Sequence, residues 1–599
     1  AITERYNGKQ RNAFSAFVSK RLIPRRGLYM KKMFAGVFGA LFLFFAAAAG
    51  CTSAGASDDT GGSQNSQSGS ETVLPPIDKD KLAEVIPTVY DNTEVVTAAE
   101  TEAGDVETWQ AQVFTKNGGN NDEVTKNAII KSPWHTLTIN DTAVPVYTAR
   151  CGKGSHSFAW VDVATCKDDF NLDVTLKTDR EYKKCEILPQ SKNTVASIEG
   201  KTIKSVITQY GSFTYTFASS ASAKATDPTM APLTIMVTEE EKLEIPVGYD
   251  VREIEPGYHE NDELEFTDEE MYYVLKPGLH EISSINVPAN SVLWLERGAY
   301  LKCADRKNAN GSQNTQTAIH AQDCENPQIR GRGLLDMGEV KGGDGKYKHV
   351  VNVSRCENAV IEGLTIINAN TWTMCVYNCD NALMEYNLLL AYRTYSDGLC
   401  MSECVDSAGR YNFVRTGDDA IEFKGHGWGG QRTGTNCVYE YNDCWTDKGS
   451  GYCLTWESTC DMENMIFRNN AVGFAQPTWS NGNNALDVRL GTKASTRWGD
   501  VTFKDIEIYH VISPNVIITQ VSGTGALIDN ILFENIAVHS VEDSSVYAYT
   551  MSSSIKDAIT DIKIRNYNFC GKLLTAADKD NERYFRFQGL VDKGQLTIG

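Results

Sequence analysis

Asp397 stands twenty-two residues before Asp419, and Asp419 directly follows Asp418. The strings around them, Ser396-Asp397-Gly398-Leu399 and Gly417-Asp418-Asp419-Ala420-Ile421, read as two copies of one strand. That interval is about one turn of a stacked β-coil, so the two copies are expected on adjacent rungs roughly 4.8 Å apart. Laying Leu399 over Ile421 sets Asp397 over Asp419, with Asp418 one residue to the side. Three carboxyls then share one patch. Like charges at that range raise at least one pKa, which keeps a protonated acid beside an ionised base near neutral pH. Such a set suits glycosidic cleavage by inversion, in which an acid protonates the leaving oxygen and a base about 6.5–9.5 Å away holds water on the opposite face. A lone Asp at a strand end would be read as a turn cap; the trio favours chemistry.

Holding these groups requires a scaffold that repeats at the same interval. Residues 359–366, 382–387, 501–508 and 531–538 can be laid under one another, each alternating apolar with polar side chains and most carrying Asn or Asp near a bend. The register of the trio continues into 449–456 and 484–490, so one groove is expected to cross several coils. Strand-like self-similarity at roughly 22–30 residues marks a parallel β-helix, in which no coil can bury its inner face alone. Long helical periodicity and a fixed Leu/Asn repeat framework are absent. Upstream, short period-two runs at 134–139, 144–147, 172–176, 213–217 and 233–237 argue a β-sandwich, expected to support the next domain rather than to bind carbohydrate on its own. The chain is thus expected to be all-β, an N-terminal β-sandwich followed by a parallel β-helix. The expected bounds are 1–50 for a leader, 51–80 for a linker, 81–258 for the sandwich and 259–599 for the catalytic β-helix.

A chain of 599 residues is too long for one ordinary core, which agrees with a domain plus a solenoid. The net charge is −20, and the first 50 residues hold nine Lys or Arg against one acid, leaving 48 basic and 76 acidic side chains on the rest. That body repels phosphate backbones and has no basic stripe, so nucleic acid is not an expected partner. Lys31-Lys32 precedes an apolar run over 33–49 that closes on Ala48-Ala49-Gly50-Cys51. The run falls short of the ~18–20 residues of a membrane span, and small residues before Cys51 suit a signal peptidase. The segment resembles a bacterial lipoprotein signal that starts at Met30 and has Cys51 as its lipidated residue. The body is then expected on the cell surface or outside the cell, held to the membrane by its lipid; a transmembrane anchor is the alternative. Residues 52–72, rich in Ser, Gly, Asp, Asn and Gln, read as a flexible tether. Without Cys51 fifteen cysteines remain, and no paired Cys-x-x-Cys points to structural zinc. Cys375 and Cys379 recur twenty-five residues later as Cys400 and Cys404; they read as small apolar residues stacked on successive coils, with disulfides as the alternative.

From about residue 265 to 540 the chain resembles the right-handed parallel β-helix glycoside hydrolases, the polygalacturonase-like family 28 and the dextranase-like family 49. The similarity lies in Ser396-Asp397-Gly398, Gly417-Asp418-Asp419, Lys276-Pro277-Gly278 and Gly331-Arg332-Gly333-Leu334-Leu335-Asp336. A sandwich ahead of the β-helix is similar to the dextranase branch. The resemblance implies Asp418 as general acid, Asp397 and Asp419 as base, a polysaccharide or oligosaccharide substrate, and no cofactor or metal. Two departures bear on the sugar. Gly425-His426-Gly427 follows Asp419 within six residues, where polygalacturonases place this tripeptide about one coil on, and Arg489 lacks the lysine of their Arg-x-Lys. A neutral polymer is therefore favoured over pectin. Trp372, Tyr395, Trp428, Trp445, Trp456 and Trp479 crowd the same stretch, and sugar rings stack on such faces. Trp428, Trp456, His426, Lys424 and Arg489 are the substrate-binding candidates, while Glu422 alternates with Ile421 and is expected to face solvent. Two other readings stay open: a lyase holding Ca²⁺ on its aspartates, and a non-catalytic glycan-binding β-helix.

Overall fold

The computed structural model describes residues 74–75, 77–90, 129–152, 154–164, 169–220, 231–259, 266–282, 284–304, 317–340, 349–428, 430–476, 484–491 and 496–599. The leader, Cys51, the tether and Trp479 lie outside the described residues. Among the described residues there are strands and short 3-10 turns but no α-helix.

Two successive coils show how the β-helix is built. Leu383–Glu385, Leu388–Leu390 and Leu399–Ser402 make one coil, and Ala408–Arg410, Phe413–Thr416 and Ile421–Lys424 make the next. Each strand pairs in parallel with its counterpart one coil on. The first two columns form a 22-stranded sheet and the third an 11-stranded sheet. Strands this short cannot bury a face alone, so stability comes from stacking. Alternation decides what faces inward: Leu399, Ile421, Tyr452 and Leu486 stand in one column and all belong to the long core. The bends are set by Asn326, Asn358, Asn381, Asp406 and Asn436, with φ between 51° and 58°, a region that Asn and Asp tolerate better than most residues. Inside the next bend, the buried side chains of Asn387, Asn412, Asn442 and Asn470 form an amide ladder.

The sandwich joins a seven-stranded and a five-stranded sheet around a core that includes Leu137, Val174, Phe213 and Ile235. The outer face of its larger sheet packs on the second column of the β-helix, where Tyr147, Phe158 and Trp160 meet Leu334, Leu388 and Phe413. Buried charges cross the same junction: Arg332 reaches Asp162 at 3.1 Å and Glu241 at 2.8 Å. The junction with the β-helix comes earlier in the chain than the expected 258/259. The last sandwich strand is Leu233–Glu239, while Asp250–Ile254 and Gly257–Tyr258 already pair with Met271–Leu275 and Gly278–Glu281. Period-two alternation is common to both kinds of strand, and the pairing partners lie downstream. Cys375, Cys379, Cys400 and Cys404 are free thiols; Cys375 and Cys400 stack in register as expected, and the sulfurs of Cys324 and Cys356 approach to 3.4 Å.

Candidate active site

Second-column strands run into tight turns that lead to the third column, and the aspartates occupy two such turns. Asp397 lies between Leu388–Leu390 and Leu399–Ser402, and Asp418 with Asp419 between Phe413–Thr416 and Ile421–Lys424. Leu399 pairs with Ile421, and the Gly398 N–H donates to the Asp419 carbonyl at 2.8 Å, so Asp397 does stand over Asp419. The turns admit no side chain at their glycines: a Cβ on Gly398 would lie 2.2 Å from the Ala420 carbonyl oxygen, and one on Gly417 2.1 Å from that of Arg393. One oxygen of each aspartate lies within 4.8 Å of the other two.

The three carboxyls are held differently. Asp419 accepts from the Ser450 N–H at 2.7 Å and the Thr455 hydroxyl at 3.0 Å. Asp418 accepts from the Tyr395 N–H at 3.1 Å and the Asp419 N–H at 3.0 Å. Asp397 accepts from the Lys424 ammonium at 3.2 Å. Asp397 and Asp419 are buried, whereas Asp418 is half-buried. Burial pushes Asp397 up to about 7, with Lys424 pulling against it and Asp419 adding to it. Burial, then Asp397 and Asp419, push Asp418 well above the ordinary carboxyl range. Burial opposes the charge on Lys424, but Glu422 and Asp397 outweigh it and hold the ammonium well above its ordinary value.

Among the described residues, two sets of side chains offer ligand atoms to a cation: the trio itself, and Asp419, Glu422 and Cys453. The Lys424 ammonium sits between them, 3.2 Å from Asp397 and 3.0 Å from Glu422, so a metal ion in either set would meet a like charge at close range.

The candidate binding residues separate into two groups. Trp428 is 61% exposed, with His426 stacked against it at 4.1 Å, Trp372 at 5.5 Å and His349 at 6.0 Å. Burial, then the Lys424 charge, lower His426 to about 3, so the ring is neutral. Its Nε2 has no hydrogen-bond partner. Trp456 is half-buried and covers the Arg489 guanidinium at 4.9 Å. Lys424 and Arg489, also expected to bind substrate, are both buried. Lys424 is locked between carboxylates under the Trp372 ring, 4.0 Å away, and Arg489 is fully buried with its Nε 2.6 Å from Asp487. Glu422 is a correction, being fully buried. It alternates outward from Ile421, but the neighbouring coils supply Cys400 and Cys453 at its register and cover it.

His349, which no sequence pattern singles out, completes the aromatic cluster by hydrogen bonding to the Tyr377 hydroxyl at 2.9 Å and stacking on Trp372 at 4.8 Å. Pairing of Ile421 with Tyr452 places Gly449-Ser450-Gly451 one coil beyond the Asp pair, while Gly425-His426-Gly427 lies in the bend after Ile421–Lys424. A serine with its hydroxyl on Asp487 at 2.9 Å thus stands next in the column of Asp397 and Asp419.

No protein-family model matches this chain, and no curated protein does. Among solved structures, Dex49A from Penicillium minioluteum is similar with a TM-score of 0.55 and 12% identity, over 80% of this chain and 95% of that one. A hyperthermoactive exopolygalacturonase from Thermotoga maritima gives 0.39 and 15%, over 55% and 84%. A polygalacturonase from Erwinia carotovora ssp. carotovora gives 0.39 and 12%, over 60% and 98%. At such identities the likeness to Dex49A is one of fold. In fold, this chain resembles the right-handed parallel β-helix glycoside hydrolases.

Proposed function

We propose that the protein hydrolyses glycosidic bonds in a neutral, α-linked polysaccharide or oligosaccharide, with Asp418 as general acid and Asp397 and Asp419 holding the attacking water. One observation carries the reading: three carboxyls from two coils converge within 4.8 Å, and the half-exposed one, Asp418, is held well above the ordinary range by burial and by both neighbours. The raised pKa favours its protonated form, which can give that proton to the leaving glycosidic oxygen. As the glycosidic C–O bond breaks, the water oxygen bonds to the anomeric carbon and its proton passes to the Asp397–Asp419 pair; the pair then releases that proton to solvent and Asp418 takes one up, which restores the starting state. A neutral substrate is supported by the charges around the trio. Among the described residues, Lys424 is engaged by Asp397 and Glu422, Arg489 by Asp487 and Arg415 by Asp447. A uronate would meet three carboxyls with those cations already taken. The exposed Trp428 face suits the C–H face of a pyranose.

The direct test is Asp418→Asn, assayed on dextran, pullulan and polygalacturonate by release of reducing ends. Loss of about 10²- to 10⁴-fold in kcat on a neutral glucan is expected, the usual worth of a general acid. Retention of most activity would remove Asp418 from that role. Cleavage with retention is a second reading with one observation in its favour: spacings within 4.8 Å are nearer to the ~5–5.5 Å of retaining pairs than to the ~6.5–9.5 Å of inverting ones. The anomer of the first product, read by proton NMR within minutes of mixing, separates the two.

A further inference from the structure

The strand Phe413–Thr416 that leads into Asp418 and Asp419 is gripped from behind by the sandwich. Arg415 forms a two-pronged pair with Asp447, at 3.1 and 3.2 Å, and a third nitrogen donates to Nδ1 of His156, a sandwich residue, at 3.2 Å. Nε2 of His156 reaches the Thr234 hydroxyl at 2.8 Å, which meets the Thr214 hydroxyl at 2.8 Å. His156, Arg415 and Asp447 are all fully buried. Burial and the Arg415 charge hold His156 well below its ordinary pKa, so its neutral ring accepts from Arg415 and donates to Thr234.

Asp447 opens the turn of the following coil, which touches the two turns that carry the trio at three points. The backbone of Gly449 passes so close to Asp418 that a Cβ would lie 2.1 Å from its carbonyl carbon. The Ser450 N–H holds Asp419 at 2.7 Å. Lys448 reaches Thr394, in the turn of Asp397, at 3.0 Å. One guanidinium therefore anchors the Asp418–Asp419 turn through its own strand and the supporting turn through Asp447.

We propose that the sandwich is a working part of the active site, with His156 a positioning residue that acts through Arg415 and Asp447 on the turns presenting Asp418 and Asp419. The proposal rests on the hydrolytic reading above. The cost of removing the grip is set by how sharply rate depends on placement, where displacements of about 1 Å can cost 10²-fold.

The test uses two substitutions of similar size in the full chain. His156→Asn keeps an acceptor near the position of Nδ1, facing Arg415; His156→Gln keeps a polar group near Nε2, facing Thr234. On a glucan cleaved by the wild type, His156→Gln should lose about 10- to 100-fold in kcat with KM nearly unchanged, and His156→Asn should recover most of that loss. Trp160→Phe is the control: it removes the 2.8 Å bond to Thr365 at the same junction, two coils before Phe413, and should lower Tm without lowering kcat. Equal kcat for the two His156 variants, or a kcat that follows Tm in all three, overturns the positioning role. If the wild type cleaves no glycan, the hydrolytic reading is the one that fails. Crystal structures of the His156 variants then decide the inference: an undisturbed Ser450–Asp419 bond in His156→Gln overturns it, and a displaced turn restored in His156→Asn supports it.

Discussion

Burial raises Asp397 to about 7 against the pull of Lys424, and the sign of the consequence for stability is fixed. A carboxyl raised on folding binds its proton more tightly in the native than in the unfolded chain. Its stabilising share is full below the unfolded value near 3.8 and is lost as pH rises through about 7. Asp397→Asn removes this dependence. The difference in Tm between variant and wild type should grow in favour of the variant from pH 4 to pH 8, and thermal scans across that range check it; a flat difference would falsify the raised pKa. The location of the trio was legible because two similar strings one coil apart force a single register. The state of its neighbours was not. Glu422 and Lys424 alternate outward like any solvent-facing pair, and only the adjacent coils reveal that both are buried. His349 gave no signal, since its partners Trp372 and Tyr377 reach it through side-chain stacking and not through spacing.

The coil as an element was readable from alternation and from Asn or Asp at the bends, since those bends need positive φ. Its internal amide ladder was not, because an Asn at a bend looks the same whether its side chain points out or in. Asn412 points in: its oxygen accepts from the Asn387 amide at 3.0 Å, and its nitrogen donates to the Met384 carbonyl at 3.0 Å and to Asn442 at 2.9 Å. Asn412→Ala takes the acceptor from the Asn387 N–H and the amide donor from the Met384 carbonyl on the preceding coil, while Asn442 on the next coil keeps the backbone N–H of residue 412; the expected cost is about 2–4 kcal/mol. Asn436, exposed at another bend with φ 58°, has its backbone conformation met by glycine, so Asn436→Gly should cost under about 1 kcal/mol. Urea midpoints followed by tryptophan fluorescence compare the two. Equal costs would mean that the inner ladder contributes no more than the outer bend.

At the scale of the whole molecule the two domains share a buried face that neither sequence segment announced. Period-two strands in the sandwich and in the β-helix look alike, and the partners across the junction are far apart in the chain, as with Trp160 and Thr365 or His156 and Arg415. Leu334, Leu388, Leu390, Phe413 and Trp445 on the outside of the second column are buried because the sandwich covers them. Asp443 is paired with Lys192 of the sandwich and bonded to Ser212. A chain that begins at residue 245 would keep every coil of the β-helix and all three aspartates but would expose that apolar face. Contiguous apolar patches beyond a few hundred Å² are rare on soluble monomers, so this fragment should self-associate and bind a hydrophobic dye. Size-exclusion chromatography with light scattering and dye fluorescence measure both. A monodisperse, dye-silent fragment with the activity of the full chain would show that the junction supports neither solubility nor the turns behind Asp418. A soluble fragment with kcat reduced as in His156→Gln would separate the two roles, leaving the grip on Arg415 as the sandwich's contribution to the site.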